Sequence, residues 1–180
     1  MKRLLSLLSI GLAAIALPVF AAVGVGDKAP DFTAQASLAG KEFTFNLADA
    51  LKKGPVVVYF YPEAFTPGCT IEAHDFAEAS DKYAALGASV IGVSHDKIDK
   101  LDKFSVQECR NKFAVAADPD LNVIKAYGAQ LPGHETYANR TSYVITPDGK
   151  VIYMFTDMHP DQHVANTLKA ISDWKAKNGK

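Results

Sequence analysis

The chain has 180 residues, of which 48% are hydrophobic and 22% charged, with a formal net charge of −1. This length supports one domain with a core of its own rather than two, and the composition is not that of a disordered chain. With no basic patch or tail there is no electrostatic footprint for nucleic acid, which leaves small molecules or other proteins as partners. Residues 1–21 read as a secretory leader: Lys2 and Arg3 form a basic start, Leu4 to Leu17 an apolar run, and Val19-Phe20-Ala21 a small-residue cleavage pattern. The run is too short and its exit too polar for a membrane span, so export to the periplasm without stable membrane association is expected. An uncleaved N-terminal anchor is the alternative reading of the same pattern. Cleavage after Ala21 removes two bases and no acid, which leaves one domain over 22–180 with a formal charge of −3.

Val25 to Asp31 forms a loop into a strand, Phe32–Ala36, that pairs with Lys41–Phe45 as a hairpin around Leu38-Ala39-Gly40. Asn46 then caps a brief helix, Leu47–Lys52. Val56 to Phe60 is an unbroken β-branched and aromatic run, the pattern of a buried central strand. Pro62 and Pro67 end that strand, because neither can donate a ladder hydrogen bond. Thr66 fits an N-cap and Pro67 the first helical position, so Cys69 falls in the first turn of a helix running to Leu86. Gly87 closes it.

Ala88–Ser94 is a second apolar strand, and strand, helix, strand at this spacing predicts a parallel, right-handed crossover. Asp99–Asn111 follows as a helix with Leu101, Phe104 and Cys109 turned inward, then Phe113–Ala117 as a third strand. Asn122–Tyr127 is a short helix closed by Gly128. Ala129 to Arg140 reads as a long loop, the kind of segment that lines sites. Thr141–Thr146 and Lys150–Phe155 flank the turn Pro147-Asp148-Gly149, a strong hairpin signal. The closing helix, His163–Lys177, shows an apolar face of Val164, Leu168, Ile171 and Trp174. The sum is an α/β domain with a mixed central sheet and helices on its faces.

The chemistry concentrates at Cys69. Unpaired N–H groups and the positive end of the helix dipole favour a thiolate there, the nucleophilic form of the sulfur. Thr66, one turn earlier, could donate its hydroxyl to that sulfur or to an oxygen of the group attacked. Against this stands an inert buried thiol, common for free cysteines. The second cysteine, Cys109, raises the possibility of a structural disulfide, the default in an exported protein. Such a bridge would consume the sulfur that the helix start is arranged to activate, so a redox-active pair competes with it. His74, His95, His134, His159 and His163 lack metal-binding spacings, so no metal or cofactor is expected. His74 lies about one and a half turns past Cys69 and off its face.

Pro62-x-x-x-Thr66-x-x-Cys69 resembles the active-site signature of the peroxiredoxins, and the fuller Tyr61-Pro62-x-x-x-Thr66-Pro67-Gly68-Cys69-Thr70 is similar to the Q-type, or bacterioferritin-comigratory, branch. The entry Gly26-Asp27-x-Ala29-Pro30-Asp31-Phe32 resembles that of the same family, and the likeness extends to about Trp174. It implies a thioredoxin-like fold with an N-terminal hairpin extension. The implied activity is that of an antioxidant thiol peroxidase acting on hydrogen peroxide and alkyl hydroperoxides, recycled by a thioredoxin-like reductant and monomeric. In that comparison Cys69 is the attacking sulfur, Pro62 shields it and Thr66 helps hold the peroxide. Arg140, just before a Thr/Ser-aromatic-apolar strand, matches the family's active-site arginine, where residue type alone would favour a solvated loop-end Arg.

Q-type members often carry a resolving cysteine five residues after the nucleophile, where this chain has His74. Others place it in the region of Cys109, which implies an intramolecular Cys69–Cys109 disulfide. An external thiol acting on a one-cysteine enzyme is the alternative. A thioredoxin-type disulfide oxidoreductase would need cysteine at position 66 and proline before the facing strand. A copper-binding redoxin-like module would need cysteine at position 73, which is Ala73.

Overall fold

The structure is a computed structural model in which residues 22–178 are described; the expected leader, 1–21, lies outside the described residues. Its centre is β3 (Val56–Phe60), every residue of which is 0% exposed. Side chains alternate across a strand, so this run feeds two cores. Val56, Val58 and Phe60 face one, while Val57 and Tyr59, with Tyr61 just beyond, face the other.

Around β3 the sheet has the order β2-β1-β5-β4-β3-β8-β9, from β1 (Thr33–Leu38), β2 (Lys41–Asn46), β4 (Ser89–Ser94), β5 (Ala114–Ala117), β8 (Thr141–Ile145) and β9 (Val151–Thr156). β3, β4 and β5 run parallel; β8 lies antiparallel to β3, and the hairpins β1–β2 and β8–β9 are antiparallel. The mixed sheet expected from the sequence is therefore present, with the N-terminal hairpin at one edge. One face is covered by α1 (Leu47–Leu51) and α5 (Asn122–Ala126). The other is covered by α2 (Pro67–Glu78), α3 (Ser80–Ala85), α4 (Ile98–Gln107) and α6 (His163–Asn178). Asn46 caps α1 as expected, accepting from the Asp49 amide at 2.8 Å.

Four segments differ from expectation. The helix expected to run unbroken to Leu86 is interrupted at Ala79, where the Ser80 hydroxyl donates to the Ala77 carbonyl at 2.5 Å, a local bond that competes with the helical ladder. The expected loop after Ala129 contains a small hairpin, β6 (Gln130–Leu131) and β7 (His134–Ala138), turned at Gly133 with φ +79°. α4 stops at Gln107, so Cys109 lies in a turn beyond the helix rather than on it; Arg110 and Asn111 take φ +51° and +60°, which no helix tolerates. On α6 the inward row is His163, Thr167 and Ile171, and Trp174 is half-buried instead of lying in the core. The polar members of that row are bonded inside: Thr167 shares a 2.6 Å hydrogen bond with the Tyr83 hydroxyl.

The second core holds a stack of rings, Tyr61 on Tyr59 at 5.4 Å and Tyr59 on Phe76 at 4.4 Å. Tyr59 lies over Gly92, its partner on β4, where an added Cβ would come within 2.8 Å of the ring. Gly92→Ala should therefore lower the unfolding free energy by about 1–3 kcal/mol in a urea titration, the usual cost of overpacking.

Candidate active site

The site forms where β3 ends. Tyr61 still donates to the Val93 carbonyl at 3.1 Å, and the chain then turns under buried Asp96. Asp96 accepts from the Ala64 amide and the Ser94 hydroxyl, both at 2.8 Å, and pairs with Lys100 at 2.7 Å; Lys100 also holds Glu63 at 2.8 Å. Pro62 is half-buried, and its carbonyl accepts from His95 Nδ1 at 2.9 Å. Phe65, at φ +67°, sets its ring edge-on to Phe104 of α4 at 5.2 Å. The approach to Cys69 is thus held by His95, Asp96, Lys100 and Phe104, none of them on α2.

Thr66 then begins α2 with extended backbone, φ −76° and ψ 150°. Its hydroxyl does not cap the helix, and it does not donate to the sulfur, one of the two acceptors considered for it. It donates to the Glu63 carbonyl at 2.9 Å, three residues back in the same turn. The proton is committed, so the oxygen offers lone pairs to the site. The first α2 bond runs from Thr70 to the Thr66 carbonyl, which leaves the Gly68 and Cys69 amides ahead of the ladder. Cys69 is 2% exposed.

Arg140 enters from the start of β8 and is itself 2% exposed, not a solvated loop-end residue. Its Nε donates to the Met158 carbonyl at 3.0 Å, Nη1 to Glu72, and Nη2 to Cys69 Sγ at 3.5 Å. Gly68 makes room for it: a Cβ there would lie 3.0 Å from Nη2. A positive charge held this way stabilises negative charge on the sulfur or on an oxygen bound to it.

Glu72, one turn past Cys69 on the same helix face, is fully buried. Burial pushes its carboxyl up to about 8, against the pull of Arg140 in the other direction. Its second oxygen is 3.6 Å from His163 Nδ1 and has no hydrogen-bond partner among the described residues. His163, at the start of α6, is fully buried behind the site. Nε2 donates to the Asp157 carbonyl at 2.9 Å and Nδ1 bonds the Ser142 hydroxyl at 2.8 Å. Burial lowers its proton affinity and keeps it neutral, so it adds no charge to compete for Glu72.

Cys109 shares the core layer of Cys69, Tyr59, Tyr61 and Phe104, is 0% exposed, and both cysteines are free thiols. Burial pushes its thiol up, so in this position it is a poor nucleophile. His74, half-buried, bonds Glu108 at 2.7 Å and not the sulfur of Cys69.

Residues 25–154 match the AhpC/TSA family. The chain belongs to the AhpC/TSA family, the peroxiredoxins. It is 36% identical over 124 residues to "Peroxiredoxin Bcp" of Escherichia coli, across 63% of this chain and 78% of that one. It is 35% identical over 152 residues to a putative peroxiredoxin of Mycobacterium tuberculosis, across 82% and 94%, and 33% identical over 150 residues to the chloroplastic peroxiredoxin Q of rice, across 83% and 67%. Among solved structures it is similar to the peroxidoxin BcpB of Mycobacterium tuberculosis, with TM-score 0.76, 30% identity, and 84% and 97% of the two chains covered. The peroxiredoxin is a thiol peroxidase with the thioredoxin-like fold of its family.

Of the residues singled out in the sequence of this peroxiredoxin, Cys69, Thr66 and Arg140 converge, Pro62 shapes the approach, and Cys109 stands apart in the core beyond. Sequence reasoning passed over Glu72 and Asp96. Glu72 carried a signal, an acid three residues from Cys69 on a helix face otherwise made of Ala73, Phe76 and Ala77; Asp96 carried none, since its partner is a backbone amide 32 residues away. Glu72→Ala strips a buried guanidinium of its partner and should slow the reaction with peroxide roughly ten- to hundredfold, or about 1.4–2.7 kcal/mol of barrier. Glu72→Gln keeps a hydrogen-bond acceptor and should stay within about fivefold of wild type. Below about pH 8 Glu72 is neutral and the guanidinium charge is left to the sulfur. Above it the carboxylate competes, so in a stopped-flow pH profile the wild-type rate should fall relative to Glu72→Gln as pH rises through about 8.

Proposed function

We propose that this peroxidase reduces hydrogen peroxide and small organic hydroperoxides through Cys69. The thiolate forms a bond to the peroxide oxygen that bears hydrogen as the O–O bond breaks, Cys69 becomes a sulfenic acid, and the second oxygen leaves and takes a proton from solvent as water or alcohol. Thr66 Oγ1, its own proton held by Glu63, accepts a hydrogen bond from the peroxide O–H. Arg140 Nη2 and the Gly68 and Cys69 amides face the oxygen on which charge develops. The observation that carries this reading is the burial of Cys69 and Arg140 together, with sulfur and guanidinium 3.5 Å apart. A sulfur only 2% exposed is reachable by a two-oxygen electrophile but not by a protein disulfide, which argues against a thioredoxin-type oxidoreductase. A groove of about 660 Å³ between β2, α1 and α3 shares no residue with the site.

In the second half of the cycle Cys109 attacks the sulfenic sulfur, the S–O bond breaks, water leaves and an intramolecular disulfide forms; a thioredoxin-like protein then reduces it. Supporting this is the presence of both sulfurs in one core layer. The leader pattern of residues 1–21 supports an exported enzyme whose reductant also lies outside the cytoplasm, and the resemblance of Tyr61 to Thr70 to the Q-type branch supports a monomer. One equivalent of hydrogen peroxide added to reduced wild type should yield the Cys69–Cys109 disulfide in thiol mapping by mass spectrometry. Cys69→Ser should consume no peroxide above background, and Cys109→Ser should accumulate the sulfenic acid. Equal peroxide consumption by Cys69→Ser and wild type would overturn the proposal.

A further inference from the structure

The turn that holds Cys109 is strained and pinned. Arg110 and Asn111, the two residues after it, both adopt left-handed backbone at φ +51° and +60°, which Asn tolerates but which is costly for Arg. Backbone bonds close the turn, from Cys109 to the Phe104 carbonyl at 3.0 Å and from Asn111 to the Ser105 carbonyl at 3.0 Å. Outside these, two contacts tie it to α2. His74 and Glu78, one helical turn apart, reach across to the residues on either side of Cys109: His74 Nε2 to Glu108 at 2.7 Å and Glu78 to Arg110 at 3.0 Å. The first contact is a hydrogen bond when His74 is neutral and an ion pair when it is protonated. At its other end α4 is anchored by Asp96 and Lys100 to the loop before Cys69, so the last turn can open while the helix stays in place.

We infer that the His74–Glu108 and Glu78–Arg110 contacts form a latch that holds Cys109 in its buried turn and sets how the Cys69 sulfenic acid divides between disulfide formation and further oxidation. This rests on the reading that Cys109 is the resolving cysteine. In this step the turn opens and carries Cys109 to Cys69, since the bond needs their Cα atoms within about 7 Å. Opening releases the left-handed strain and returns the Cys109 thiol to water, where its thiolate fraction rises. The thiolate then attacks the sulfenic sulfur, S–S forms, S–O breaks and the oxygen leaves as hydroxide, which takes a proton from solvent to become water. While the latch is shut, a second peroxide molecule competes: it adds one oxygen to the sulfenic acid, giving sulfinic acid and water or alcohol. His74, Glu78, Glu108 and Arg110 are thereby positioning residues for the resolving step. Their side chains are partly exposed, so each contact is weak and the pair together shifts opening by roughly three- to tenfold.

The test is rapid-quench mass spectrometry of the full chain after a peroxide pulse, comparing wild type with His74→Ala/Glu78→Ala. The double variant should form the Cys69–Cys109 disulfide about three- to tenfold faster and give correspondingly less sulfinic acid at excess peroxide, with the initial oxidation of Cys69 unchanged. Raising NaCl from about 20 mM to about 500 mM should speed resolution in wild type but not in the variant, a response that loss of packing alone would not produce. The charge-swapped Glu78→Arg/Arg110→Glu protein should return toward the wild-type rate. If wild type forms no Cys69–Cys109 disulfide, the resolving role of Cys109 falls and the latch with it. If wild type forms the disulfide and neither the double variant nor salt speeds it, the latch alone falls.

Discussion

A guanidinium that is 2% exposed must have its donors engaged, and the site of this peroxiredoxin is built around meeting that demand for Arg140. β8 delivers the residue, the segment beyond β9 supplies the Met158 carbonyl, and α2 supplies both Glu72 and the sulfur of Cys69. Each partner constrains another. Gly68 has no side chain because Nη2 passes over it, and Glu72 is tolerable in the core because Arg140 is there to meet it. Remove the guanidinium and the buried Glu72 carboxyl loses its hydrogen-bond donor and the buried sulfur loses the charge that accommodates it.

That constraint also explains why a neutral His163 sits behind the acid. A protonated imidazole there would draw Glu72 away from Arg140, whereas a neutral ring fixed by the Ser142 hydroxyl and the Asp157 carbonyl only fills space. The electrostatics around Cys69 therefore reduce to one cation, one acid raised by burial and one sulfur.

α4 links the two cysteines mechanically. Its first turn is bonded through Asp96 and Lys100 to the loop that presents Cys69, its middle packs Phe104 against Phe65 and Tyr61, and the turn past its end carries Cys109. The Cys109 end is thus separated from the geometry that Cys69 needs for its first reaction.

The sequence by itself determined the elements whose signal is local. The apolar run Val56–Phe60 could only be a central strand, Asn46 and Pro67 marked helix starts, Pro147-Asp148-Gly149 marked a hairpin, and Thr66-Pro67-Gly68-Cys69 put a sulfur in a first turn. The cysteine, the threonine and the arginine were legible because their spacing and strand context are properties of the chain. Tertiary structure alone decided the direction of the Thr66 hydroxyl, set by the Glu63 carbonyl, and the burial of His163, set by the packing of α6 on β8. It also decided the displacement of Cys109 from its helix, forced by two left-handed residues, and the partnership of Glu72 with Arg140 across 68 positions. These depend on groups far apart in the chain meeting at short range, and no periodicity or motif encodes which carbonyl, acid or ring will be nearest once the sheet closes.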